Sequence, residues 1–224
     1  MELWIPITLT AAFAQTIRTA IQRHMKGPLG DYGASAIRFI YAIPFAWLWF
    51  ILVFTKLDQP FPMPSSIAVV WLFVGGICQI LFTVLLVKLF SYRNFLVGIA
   101  FSKTEVLFAA IFEAIILAAA ISVQFGIAIL LGTVAVIMLS MSGKAFSLNE
   151  IGNSLKSEST LIGILCGLAL AGSVLGFRAA INSLPEADFL LRATTGGALA
   201  VTGQATLFCI YLFICLFIIS YLYL

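Results

Sequence analysis

The sequence predicts an all-α fold, a polytopic transmembrane helix bundle of about seven spans. Three observations support this fold class: 62% of the 224 residues are hydrophobic, only 9% are charged, and the apolar residues form long continuous runs. A soluble domain is about half apolar and about one quarter charged, because its surface must be hydrated. The composition therefore excludes a cytosolic enzyme. A net charge of +3, scattered along the chain, excludes a protein that binds nucleic-acid phosphates.

The apolar runs have the length of membrane-spanning helices. About 20 mainly apolar residues are needed to cross a hydrocarbon core about 30 Å thick. The runs are continuously apolar, which excludes the alternating strands of a β-barrel. Clusters of Gly and Pro at 27–31, 58–64 and 184–186 separate several runs, whereas an Ala-rich corner at 120–122 is a weaker break. The seven predicted spans are 3–22, 34–54, 67–89, 96–118, 123–141, 161–180 and 189–224.

A polar stretch divides the chain into two unequal parts. Residues 143–160 are rich in Ser, Asn, Lys and Glu, and we interpret them as a linker. Residues 1–142 hold five predicted spans and residues 161–224 hold two, with an atypical apolar tail from about residue 209. Because five is an odd number, a second copy of the first part begins on the opposite side of the membrane and runs inverted.

Four arginines recur in the same order in the two parts. Arg18 lies near the end of the first predicted span and Arg178 near the end of the sixth. A short acidic turn follows each of them, and then Arg38 or Arg192 enters the next span. This order predicts an incomplete inverted repeat. Transporters built from inverted repeats bind their substrates near the bilayer midplane, at the interface between the repeats.

Several short stretches also carry a family resemblance. They are Gln-Thr-Ile-Arg-Thr-Ala-Ile-Gln at 15–22, Ala-Ile-Arg-Phe at 36–39, Tyr-Arg-Asn-Phe-Leu-Val-Gly at 92–98, Ser-Lys-Thr-Glu at 102–105 and Gln-Phe-Gly-Ile at 124–127. In these stretches the chain resembles the EamA-type members of the drug/metabolite transporter superfamily. The resemblance extends to about residue 208. It implies ten helices in two five-helix repeats, and transport of small metabolites or amphipathic compounds by alternating access.

The chain departs from the family pattern in three respects. Ala118-Ala119-Ala120 stands where many relatives carry Gly-Glu, and Thr104-Glu105 stands where many carry a proline. The second repeat lacks its last three helices, and residues 209–224 form an apolar tail where a polar loop is expected. A premature stop or a shifted reading frame accounts for the tail and the missing helices. The main alternative is therefore a fragment that inserts into the membrane but does not transport.

The sequence gives no support to an enzyme. His24 is the only histidine, and the cysteines lie inside apolar runs, without the spacings of metal ligands or of a disulfide framework. A phosphate-binding loop and a nucleophile–base arrangement are both absent from the sequence. We expect neither catalytic residues, nor a cofactor, nor a metal, and an intramembrane enzyme is the least favoured alternative.

Charged residues inside the predicted spans are candidate site residues. An ionisable side chain within a bilayer costs about 2.5–3.5 kcal/mol on insertion scales, so its presence points to a substrate or ion pathway. Glu105 and Glu113 share a broad face of the fourth span, whereas Lys103 faces nearly the other way. We expect the two carboxylates to bind a cation or a coupling proton. The alternatives are a structural pair between Glu105 and Arg38 or Arg192, and a position of Glu113 near the far membrane interface.

The remaining candidates lie in other spans. Arg38 and Arg192 either receive an anionic group of the substrate or extend to the membrane interface. Gln79 in the third span either lines the pore or forms a hydrogen bond between helices. We interpret Arg18, near the end of its predicted span, as interfacial.

Topology and partners follow from charge and from small residues. The positive-inside rule favours an external N-terminus, whereas the family resemblance implies a cytoplasmic one. The motifs Gly163-x-x-x-Gly167 and Gly172-x-x-x-Gly176 predict close helix packing, within the chain or in a homodimer. The expected partners are the lipid bilayer, a small-molecule substrate and a second copy of the chain. The expected location is a bacterial-type inner or plasma membrane.

Overall fold

The fold is described from a computed structural model, which covers residues 4–92, 104–116 and 156–222 and isolated helical residues between 126 and 138. Every regular element in these ranges is an α-helix, which confirms the predicted all-α class. Most of predicted span 123–141 and most of the linker 143–160 lie outside the described residues. The helices in the three longer ranges are α1 (Trp4–Ile40), α2 (Ala42–Leu57), α3 (Ser66–Tyr92), α4 (Glu105–Ile116), α5 (Glu158–Asn182) and α6 (Phe189–Leu222).

The described helices include four candidate membrane spans. Each is long enough and apolar enough to cross a bilayer, and each leaves most of its apolar surface outside the protein core, as a membrane helix does. The last of them lies within α6, whose 34 residues measure about 51 Å at 1.5 Å per residue. The spans are Ile5–Leu57, Ser66–Tyr92, Glu158–Asn182 and Phe189–Cys215.

Helix α1 is interrupted at Gly30, inside the break predicted at 27–31. Gly30 has φ 67° and ψ −176°, a conformation essentially restricted to glycine. We call residues 4–29 the first arm and residues 31–40 the second arm. The arms line opposite walls of one groove, and residues at matching distances from Gly30, such as Gln22 and Arg38, face it together. This is the arrangement of two antiparallel helices. The first arm is longer than predicted, because it continues beyond residue 22 to the Gly30 break.

Hydrogen bonds between loops define one end of the bundle, which we call the Gln59 end. The side-chain Oε1 of Gln59 accepts a hydrogen bond from the backbone N–H of Asp188 at 2.9 Å. Ser65 Oγ donates to the backbone oxygen of Ser183 at 3.1 Å. The α2–α3 connection and the α5–α6 turn therefore lie side by side at this end.

Polar contacts also define the opposite end, which we call the Lys26 end. Lys26 Nζ lies 2.8 Å from Asp31 Oδ1, donates to the backbone oxygen of Val87 at 2.8 Å and also contacts Ser91 Oγ. Tyr92 Oη donates to Glu158 Oε1 at 2.8 Å. The Gly30 break, the end of α3 and the start of α5 therefore lie together.

Glycines of α5 bring this helix close to the backbone of α3 and of the start of α4. A Cβ added to Gly176 would lie 2.7 Å from Cα of Gly75, and one added to Gly167 would lie 3.2 Å from the backbone nitrogen of Glu105. A Cβ on Gly172 would meet Cys78 Sγ at 3.1 Å. Gly167, Gly172 and Gly176 of the predicted small-residue motifs thus pack against other helices of the same chain.

Helix α2 packs antiparallel to α6. Trp47 Nε1 donates to Thr202 Oγ1 at 2.9 Å near the middle of both helices. Towards the Gln59 end, Phe50 packs with Leu191 near the start of α6. Towards the Lys26 end, Phe39 of the second arm stacks on Phe208. This pair of helices forms one wall of the central cavity.

Candidate functional site

A central cavity of about 340 Å³ lies between the arms of α1 and helices α2, α3, α5 and α6. Most of its wall is apolar, and Gly196 and Gly197 leave room on the α6 side. The polar groups are few and come from different helices, as in a site that recognises a small molecule. The polar residues on its wall are Arg18, Arg38, Gln79, Ser173 and Gln204.

Arg38 is held in the cavity wall by neutral and aromatic groups. Its Nη1 donates to Thr83 Oγ1 at 3.0 Å, and Thr83 in turn donates to the backbone oxygen of Gln79 at 2.8 Å. The guanidinium carbon lies 5.7 Å from the ring centre of Phe39 and 5.6 Å from that of Phe82. Cation–π contacts of this kind stabilise the charge without neutralising it. These contacts stabilise the positive charge of the guanidinium in the cavity wall.

Two amide side chains complete the polar part of the cavity. Ser173 Oγ on α5 donates to Gln79 Oε1 on α3, so the Gln79 side chain is fixed across the α3–α5 contact. Gln204 on α6 is only 4% exposed and packs beside Gly76. Since Gln79 has its oxygen occupied by Ser173, its NH₂ group is left to donate towards other groups.

The structure brings some predicted site residues to the cavity and separates others from it. Arg38 and Gln79 line the cavity wall. Glu105 lies at the start of α4, packed against Gly167 of α5. Arg192 neighbours the lining residue Ala193, and its Nε is buried without a hydrogen-bond partner among the described residues. Lys103 and the side chain of Glu113 lie outside the described residues.

Sequence reasoning missed Arg18, Ser173 and Gln204 as lining residues. Arg18 was assigned to a helix end because apolarity falls at residue 22. The first arm instead continues to the Gly30 break, so Arg18 lies about 18 Å along the helix from that break. If the first helix is taken to end at Gly30, the sequence predicts that Arg18 lies well inside the span and not at its end. Ser173 and Gln204 carry no comparable signal in the sequence.

No family model, curated protein or solved structure matches the chain. The described residues also contain no group of three or more His, Cys, Asp or Glu side chains that could hold a metal ion.

The charge of the cavity determines its chemistry. Two guanidinium groups face it, and the described lining residues include no carboxylate. Arginine binds carboxylate and phosphate groups with paired, charge-assisted hydrogen bonds. Charges at this depth are costly and occur mainly at functional positions. The described cavity is therefore suited to receive an anion.

Proposed function

We propose that this chain is a multi-pass membrane transporter whose central cavity binds a small-molecule substrate and opens alternately to the two sides. The observation that carries the proposal is the cavity itself, with Arg18 and Arg38 on its wall and apolar helices around it. Two arginines within a long apolar stretch contribute nothing to insertion into a bilayer and cost several kcal/mol. A substrate pathway gives a reason for both. A fragment that only inserts into the membrane gives none.

The count of seven spans and the inverted repeat are parts of this proposal. Each side of the Gly30 break is long enough to cross a bilayer, so the stretch Ile5–Leu57 is proposed to contain two spans. A two-fold axis in the membrane plane requires the second and seventh spans to run antiparallel, and α2 and α6 do so. Against strict equivalence, Arg18 lines the cavity, whereas Arg178 is not among its described lining residues.

Membership of the EamA-type drug/metabolite transporters is proposed on the sequence stretches alone. Under it, Glu105 at the start of α4 is the proposed coupling carboxylate. Glu105 is not among the described lining residues of the cavity, so we propose that the coupling ion follows a route of its own. The proposed setting is a bacterial-type inner or plasma membrane. A homodimer remains a prediction, since the motif glycines that face other helices are already used within the chain.

Accessibility of the cavity to water tests the proposal without knowledge of the substrate. Ala200 lines the cavity on α6, whereas Ala198 on the same helix is 1% exposed and belongs to the core with Phe50. Ala200→Cys and Ala198→Cys are each exposed to a membrane-impermeant methanethiosulfonate reagent, in right-side-out and in inverted vesicles. Parent vesicles give the background from the native cysteines.

Alternating access predicts that Ala200→Cys reacts from both sides and that Ala198→Cys reacts from neither. Reaction of Ala200→Cys from one side only indicates a fixed crevice, and it contradicts a transporter. Absence of reaction from both sides shows that the cavity is closed to water, and it contradicts the site itself.

A further inference from the structure

A second space, a groove of about 750 Å³, lies between the first arm of α1 and the stretch formed by the second arm, Tyr41 and the start of α2. Its walls are mainly apolar and include Ile17, Ile21 and Phe45. Arg18 and Arg38 line this groove as well as the central cavity. The groove and the cavity therefore meet at the two guanidinium groups, and neither space is separate from the other.

Gln22 adds an unpartnered donor to this meeting point. It is 5% exposed, and its Nε2 has no hydrogen-bond partner among the described residues. Gln22 and Arg38 lie at the same distance in sequence from Gly30, on opposite walls of the groove. A buried donor without an acceptor costs about 1–3 kcal/mol. An acceptor oxygen bound in the groove would remove that cost.

The groove is elongated and opens sideways. Its wall on the first arm runs from Ala14 to Met25, about 16 Å at 1.5 Å per residue. Ile17 is 45% exposed and Tyr41, on the facing wall, is 68% exposed. At this depth, side chains that are exposed on a membrane helix face lipid. The long axis and the apolar wall fit an alkyl chain, and the arginine pair fits an anionic head.

We infer that the groove is a lateral portal for a single-chain anionic amphiphile that enters from the bilayer. The carboxylate or phosphate head is bound by Arg18 and Arg38, with Gln22 donating to one of its oxygens. The alkyl chain lies between the two arms of α1. This inference rests on the proposed function and names the class of its substrate. A water-soluble anion that reaches the central cavity directly is the competing outcome.

The test measures binding in lipid nanodiscs with a spin-labelled dodecyl phosphate, whose immobilised fraction is read by electron paramagnetic resonance. Ala14→Trp fills the groove wall. Ala12→Trp is the matched control, since residue 12 is exposed on the same arm but lies about 200° around the helix from residue 14. Arg38→Gln removes one head-group contact, and Arg38→Lys keeps its charge. Spin-labelled dodecyltrimethylammonium reverses the charge of the probe, and benzenesulfonate probes the central cavity alone.

The inference predicts that dodecyl phosphate binds at least tenfold more tightly to the wild type than to Ala14→Trp or Arg38→Gln. Ala12→Trp binds like the wild type, and Arg38→Lys lies between the wild type and Arg38→Gln. Equal binding of the cationic probe overturns the inference, as does an equal effect of the two tryptophans. Binding of benzenesulfonate without binding of dodecyl phosphate removes the portal but leaves the central site. Failure of both anions to bind removes the portal and contradicts an anion site in the cavity.

Discussion

The contact between α3 and α5 gives a quantitative prediction for Gly176→Ala. The new methyl group would lie 2.7 Å from Cα and 2.9 Å from the nitrogen of Gly75, and 3.3 Å from the backbone oxygen of Trp71. Carbon atoms in contact prefer about 3.5–4.0 Å, and these neighbours are backbone atoms that cannot rotate away. The two helices must therefore separate by about 1 Å. Overpacking of this kind costs about 1–3 kcal/mol.

A second glycine isolates this cost from the effect of helix propensity. Replacing glycine by alanine inside a helix is by itself favourable by about 0.8–1.0 kcal/mol. Gly203 lies in the middle of α6 and has no atom within 4 Å of an added Cβ, so Gly203→Ala carries the favourable effect alone. We expect Gly176→Ala to be less stable than Gly203→Ala by about 1–3 kcal/mol.

The assay is reversible unfolding of the purified chain in mixed micelles with increasing sodium dodecyl sulfate. Helical circular dichroism and Trp fluorescence report the transition for the wild type and both variants. The free energies of unfolding are compared at a fixed detergent composition. Equal stability of Gly176→Ala and Gly203→Ala would refute the close crossing of α3 and α5, and with it the position of the α5 wall of the cavity.

Three further predictions concern the break in α1, the sidedness of the bundle and the coupling residue. Gly30→Ala should destabilise the folded chain by about 1–3 kcal/mol relative to Gly27→Ala, because both sites have space for a Cβ but, of the two, only Gly30 has a positive φ. Equal melting temperatures of the two variants would show that the break is not at Gly30. In intact cells an impermeant maleimide should label Glu186→Cys at the Gln59 end and should not label Lys156→Cys at the Lys26 end. The reason is the positive-inside rule: Arg23, Lys26 and Lys88 place the Lys26 end in the cytoplasm. Labelling of both variants would contradict the assignment of the two ends. Glu105→Gln should abolish uptake driven by a pH gradient while leaving substrate exchange intact, since an amide carries no titrating proton. Unchanged pH dependence of uptake would remove Glu105 from coupling. A loss of folded yield would indicate that Glu105 forms a structural ion pair.

Local sequence signals located several of the helices and the break in α1. Continuous apolarity located α3 and α5 to within a few residues, because a membrane helix is defined by its own composition. The Gly-rich break at 27–31 was located for a local reason too, since Gly30 adopts a backbone conformation that other residues avoid. Spacing between glycines predicted close packing, but the sequence does not say which helix Gly176 meets.

The site depended on contacts that local signals do not carry. Arg38 could be singled out as a charge in an apolar run, but its bond to Thr83 on α3 follows only from the packing of two helices. Arg18 was placed at the membrane interface because hydropathy alone marks the end of a span poorly when a helix continues with polar residues. Ser173 and Gln204 are unremarkable in sequence, and only the packing of six helical segments puts them on the wall of one cavity.

The most direct test of the central claim is counterflow of radiolabelled benzenesulfonate into proteoliposomes preloaded with the unlabelled anion. This probe is permanently charged, so it does not cross the lipid as a neutral acid. The account predicts saturable counterflow by the wild type, a loss of at least tenfold in Arg38→Gln and partial retention in Arg38→Lys. Counterflow no greater than in protein-free liposomes, or a wild-type rate in Arg38→Gln, would contradict the claim that the arginine-lined cavity is the transport site.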